Sequence, residues 1–164
     1  MGWIWRIFLI SIVATLQLTL AEYISIKGVK PDLILITILF FSLIKGPIEG
    51  ESLGFLGGLL EDIFSHGALG INALSKTAIG FFGGYISQVL YFEHIPSQLL
   101  IFASATVVNG VIVTLIRIAL YSNPSIDLWL ILLMVPYNTI LALLIYQFLK
   151  RFLNLKVGKP RWNL

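Results

Sequence analysis

Glu61 and Asp62 stand side by side in the stretch Gly50 to Gly84, and Lys76 follows them. The rest of that stretch is apolar apart from Glu51, His66 and a few small polar residues, and it carries nine glycines. Two acids and a base in such surroundings could be a catalytic set, a polar binding pocket or a structural ion pair. Catalysis has the least support. Adjacent helical residues point about 100° apart, a poor arrangement for a general acid and base. His66 and His94 fall on opposite sides of the layout derived below, so they share no metal and form no dyad. The chain has no cysteine, no Walker loop, no HExxH and no GxSxG. No catalytic residue, metal site or cofactor is expected.

The elements that would position these charges are set by glycine spacing. Gly50, Gly54 and Gly58 recur every four residues and lead to Asp62, while Lys76 leads to Gly80 and Gly84 at the same interval. Residues four apart share a helix face. Each helix therefore has a smooth seam, with Gly57 and Gly83 beside it, and small residues let helix backbones approach closely in lipid. The short loop "SHGALGIN" joins the two as antiparallel neighbours. This layout predicts that Asp62 and Lys76 meet at similar depth. An acid near a helix C-terminus and a lysine near an N-terminus each oppose the helix dipole unless they meet an opposite charge. Three readings stay open: a salt bridge or outward snorkelling, an outward-facing polar pocket, and catalysis. Glu61, turned to another face, has no assigned role.

The composition explains why the helices matter. Hydrophobic residues make up 58% and charged residues 12%, against roughly a quarter charged in soluble domains. Lipid must then be the solvent for much of the chain. The expected fold is an all-α integral membrane bundle of about six transmembrane helices, over 3–26, 31–44, 50–64, 73–92, 97–121 and 127–149. Pro31 is expected at the first position of the second helix, and "KGPIEGES" is expected to end it. Segments two and three are only about 21–23 Å long at 1.5 Å per residue, so five spans is the alternative.

Lys150, Arg151, Lys156, Lys159 and Arg161 form a basic tail over 150–164, which the positive-inside rule places in the cytoplasm. Six spans then put the N-terminus inside with Arg6 and Lys45. Lys27 and Lys30 in the first outer loop weaken that asymmetry. A signal peptide ending at Thr19-Leu20-Ala21 competes with a retained first helix. The net charge of +3 comes with no basic, aromatic-interleaved face, so no nucleic-acid partner is expected. Glu22, Lys27, Lys30, Asp32, Glu61, Asp62, Lys76, Arg117 and Asp127 map to the outer half or its rim, and of these Glu61, Asp62, Lys76 and Arg117 are deep enough to need partners, although Arg117 could snorkel outward past Tyr121. Asn109 and Asn138 are intramembrane amides, read as packing glue, with Pro136 kinking the last helix.

Pro31-Asp32-Leu33, then "GFLGGLLEDIFSHGALGINAL" and a glycine-bearing helix, resembles the MreD family of rod shape-determining proteins. Gly54, Gly57, Gly58 and Asp62 correspond to its glycine-rich helix ending in an acid, and Gly67-Ala68-Leu69-Gly70 to its short loop. "PYNTILALLIYQFLKRF" with Asn138 is similar to its last span. His66 and Ala68 depart from the small residues or proline expected there. The resemblance implies a non-catalytic, multi-pass protein of the bacterial inner membrane that works in cell elongation. Its partners would be an MreC-like bitopic protein, the RodA glycosyltransferase with a class B penicillin-binding protein, and the MreB filament, directly or indirectly. The layout is also similar to the substrate-binding subunits of energy-coupling-factor transporters, an analogy of fold that does not carry function. It nonetheless frames the alternative of a solute-binding subunit with an outward polar pocket.

Overall fold

The computed structural model describes residues 2–20, 23–26, 28–65, 68–89, 94–122 and 128–152. Six helices follow one another: α1 (Trp3–Leu20), α2 (Leu33–Lys45), α3 (Pro47–Phe64), α4 (Ile71–Val89), α5 (Ile95–Leu120) and α6 (Leu128–Phe152). No strand occurs among the described residues, only an isolated bridge between Ile26 and Val29. Each helix reverses the direction of the one before. Arg6, Glu49, Gly84, Gln98 and Gln147 gather at one end, and Asp32, Glu61, Lys76, Tyr121 and Asn138 at the other.

Four boundaries differ from the sequence expectation. The first helix runs to Leu20 rather than to about residue 26, and beyond it Ile26 and Val29 exchange two 3.0 Å backbone hydrogen bonds around Gly28. Pro31 is not the first helical residue of α2. Asp32 follows it as the N-cap, accepting a 2.8 Å hydrogen bond from the Leu35 N–H onto Oδ1, as a short acidic side chain does best. The expected break between α2 and α3 shrinks to Gly46, whose φ of 94° suits glycine alone. Pro47 then opens α3 at a position where its missing N–H costs nothing. α3 thus has 18 residues, about 27 Å at 1.5 Å per residue. At the C-terminal end, α6 continues through Lys150 and Arg151 to Phe152, so the basic tail starts inside a helix.

α2 is the central element. Eight of its 13 residues are buried, which fits a helix apolar on all sides. One side meets Ile10, Ala14 and Leu53 of α1 and α3, and the other meets Ile79, Phe102 and Tyr146 of α4, α5 and α6. α3 and α4 form the most extensive helix pair. A Cβ placed on Gly50 would fall on the Gly80 carbonyl, and one on Gly58 would lie 2.5 Å from Ala73 Cα. Backbone contact this close admits no side chain. Gly57 packs instead toward Ile34 and Ile10, and Gly83 toward Leu39 and Ser42. Ser42 Oγ donates to the Gly80 carbonyl at 2.7 Å, fastening α2 to the hairpin.

The exterior reverses the usual polarity. Phe8, Phe55, Phe82, Leu115, Leu144 and Phe148 are exposed, while Asp62, Lys76, Gln98 and Asn138 are buried. Exposed apolar surface on this scale marks contact with a membrane or partners. α5 over Ile95–Leu120 and α6 over Trp129–Arg151 are long and apolar enough to cross a membrane.

Candidate functional site

Asp62 lies in the last turn of α3, four residues beyond Gly58, and so points at the start of α4. Its Oδ2 accepts the backbone N–H groups of Gly70 (2.9 Å) and Ala73 (3.0 Å). Its Oδ1 accepts the backbone N–H and the side-chain Nδ2 of Asn72, both at 3.0 Å. The first amides of a helix have no partner within it and carry the positive end of its dipole. Asp62 therefore caps α4 from another helix. Gly70, at φ 103°, turns the chain to make this possible.

The expected Asp62–Lys76 pair is not formed. Lys76 Nζ lies 2.8 Å from Asp32 Oδ2 and 2.6 Å from Glu61 Oε2. The reason is helical geometry. Glu61 is four residues beyond Gly57, which faces Ile34 of α2, so Glu61 shares the side of α3 that looks toward α2. Asp62 is turned away by one residue, toward the α4 amides. The dipole conflict at Asp62 is resolved by the amides of α4 and not by the lysine.

Asp32 joins four helices through this cluster. Oδ1 caps α2, Oδ2 meets Lys76 of α4 beside Glu61 of α3, and its backbone N–H donates to Asn138 Oδ1 of α6 at 2.9 Å. Asn138 is 2% exposed and comes two residues after Pro136, inside α6. Gln17 of α1 completes the ring by accepting the Ile34 N–H at 3.0 Å. One position before Lys76, Ser75 donates to Asn109 of α5 at 2.8 Å. Polar groups from all six helices thus hold one end of the bundle.

Other candidates lie apart. Arg117 is exposed on α5, and its carbonyl accepts the Tyr121 N–H. Pro31 is buried just before the Asp32 cap. His66, Gly67, Glu22, Lys27 and Asp127 are outside the described residues, as is the tail from 153 onward. At the opposite end of the bundle, Arg6 donates Nη2 (2.5 Å) and Nε (3.1 Å) to Glu49 Oε2. Sequence reasoning treated Arg6 as a topology charge and passed over Glu49. The signal was an acid in the first turn of a proline-started helix, a favoured place for negative charge.

The bundle contains a cleft of about 200 Å³ between α2, α4 and α5, lined by Leu39, Ile79, Phe82, Ile101, Ser104 and Val108. Its wall is apolar and it lies away from the ion cluster. A polar pocket at Glu61, Asp62 and Lys76 would need open space there, but Lys76 is 0% and Asp62 1% exposed. No group of three or more potential metal ligands occurs among the described residues.

Apolar outside, ion-paired inside and built from six helices among the described residues, the molecule falls in the class of membrane-associated helical proteins. A family model described as rod shape-determining protein MreD matches residues 1–155, which include α1 to α6. The chain belongs to the MreD family. That family has a role in rod shape determination, and no enzyme family is indicated. No curated protein and no solved structure matches the chain.

Proposed function

We propose that this chain is a non-catalytic scaffold of the bacterial cell-elongation complex. It crosses the inner membrane six times, binds an MreC-like bitopic protein and helps couple the MreB filament to peptidoglycan synthesis. RodA and a class B penicillin-binding protein share the assembly. Membership of the MreD family supports this reading.

The observation that carries it is the use of the buried charges. Asp32, Glu61, Asp62 and Lys76 are engaged with one another or with backbone amides, and they fasten α2, α3, α4 and α6. Such groups serve rigidity, leaving the apolar outer faces of α5 and α6 for lipid and partner spans. The alternating helix directions place Arg6, Lys45, Lys150 and Arg151 at one end, which favours cytoplasmic termini under the positive-inside rule.

Depletion of the protein in its own rod-shaped cell tests the reading. Cells should round up and the MreC-like protein should fail to co-purify with RodA. Normal rods after full depletion, or an intact complex without the chain, would contradict it.

A further inference from the structure

The cleft between α2, α4 and α5 has no part in the scaffold reading. Its floor is buried, formed by Leu39 of α2, Ile79 of α4 and Ile101 of α5. Its rim is open, with Phe82 59% and Val108 46% exposed. Ser104 Oγ, the hydroxyl in its wall, donates back to the Ile101 carbonyl at 3.1 Å. The wall therefore offers an occupant dispersion contact and no charge.

Shape narrows the occupant. Lining residues run from Ala78 to Ile86 on α4 and from Ile101 to Ile112 on α5, about 12 and about 17 Å along the helix axes at 1.5 Å per residue. The cleft is a slot parallel to the helices. Its volume of about 200 Å³ exceeds the apolar cavity of about 150 Å³ that takes up benzene and falls short of the roughly 300–1,000 Å³ of ordinary ligand pockets. A helix, about 10–12 Å across with its side chains, does not enter such a slot. An extended alkyl chain does. Left empty, the slot would forfeit dispersion contacts along its whole floor.

One end of the slot leads toward positive charge. Ile86 and Ile101 lie on the side where α2 finishes at Lys45 and α6 carries Lys150 and Arg151 in its last turn. Lys45 is exposed and stands on the same helix as Leu39, about 9 Å further along its axis. An anionic headgroup at that end complements these basic side chains.

We infer that the slot between α4 and α5 is a binding site for one acyl chain of an anionic phospholipid, with its headgroup beside Lys45. The site lies beyond the scaffold reading and shares with it only the membrane setting.

The test places the full chain in phosphatidylcholine nanodiscs with a trace of phosphatidylglycerol that carries a photoreactive diazirine in mid-chain. Label should reach the slot residues Phe82, Ile86 and Val108 about fivefold more than the exposed α6 residues Leu132, Ile140 and Leu144, the scale of one basic residue's attraction for an anionic lipid. The same probe with a choline headgroup should label the slot about fivefold less. Equal labelling of slot and α6, or equal labelling of the slot by the two headgroups, would overturn the inference. Both readings come from the unaltered chain and do not depend on a variant folding. Lys45→Gln should erase the headgroup preference, and Ala105→Phe, which fills the slot, should remove the slot label while leaving the α6 label unchanged. Either variant labelling like the unaltered chain would also overturn the inference. Absence of label from slot and α6 alike would contradict the membrane setting and this site with it, whereas rods that survive depletion would contradict the scaffold reading alone.

Discussion

Lys76 Nζ sits 2.8 Å from Asp32 Oδ2, so the lysine of the glycine hairpin is anchored to the cap of the central helix. Asp32 thereby has two tasks. One oxygen closes the first turn of α2 and the other neutralises a lysine with no exposed surface. Glu61 approaches the same ammonium from α3 at 2.6 Å.

Removing the lysine should be severe. Lys76→Met leaves two carboxylates facing each other in the bundle, and breaking a buried pair from one side costs about 3–5 kcal/mol. Thermal unfolding in detergent should show the loss. Adding Glu61→Gln to Lys76→Met should recover part of it, because one of the orphaned charges is removed.

Asp62 is expected to behave as a cap. Asp62→Asn keeps one acceptor and loses the other, so stability should fall by about 1–2 kcal/mol. The exchange Asp62→Lys with Lys76→Asp should give no rescue over either single change. A clear rescue in the same melting assay would mean that the two side chains pair.

The hairpin seam should resist even a methyl group. At Gly54 an added Cβ would lie 2.7 Å from the Lys76 carbonyl carbon, a backbone atom that cannot step aside. Gly54→Ala should therefore cost about 1–3 kcal/mol through overpacking. Gly110→Ala is the control. The nearest atoms to its Cβ would be those of the Ile131 side chain, at 3.1 Å and beyond, and alanine favours the helix by about 1 kcal/mol over glycine. Melting temperatures of the two variants should separate clearly.

The pair at the other end predicts a reversible swap. Arg6→Glu should lower the melting temperature by repulsion from Glu49, and Arg6→Glu with Glu49→Arg should restore most of it. Equal melting of single and double variants would mean that the contact contributes nothing.

Local patterns were the legible part of this molecule. The four-residue glycine spacing marks a helix face by periodicity alone, and an acid before an apolar run marks a cap, although the sequence reading set Pro31 in the helix rather than before it. Which of two adjacent acids meets Lys76 was not legible. Glu61 and Asp62 differ by one helical step, and the choice depends on where α2 lies, a tertiary fact. Asp32, far from both in sequence, was placed in the same outer layer of charges and in the motif, but not as the partner of Lys76. The Arg6–Glu49 contact spans 43 positions and carries no local signature. The end of α1 was hidden because apolar residues recur as far as Ile26, beyond the last helical residue Leu20.

The most direct test of the account is a double-mutant cycle on unfolding free energy in detergent, with Asp32→Asn and Lys76→Met against Asp62→Asn and Lys76→Met. Asparagine keeps the cap oxygen in the first cycle, so the cycle isolates the ion pair. Contacting residues couple by about 0.5–3 kcal/mol and separated ones add within about 0.3–0.5. Coupling above about 1 kcal/mol is expected for Asp32 with Lys76, and near-additivity for Asp62 with Lys76. Additivity in the first cycle together with coupling in the second would contradict it.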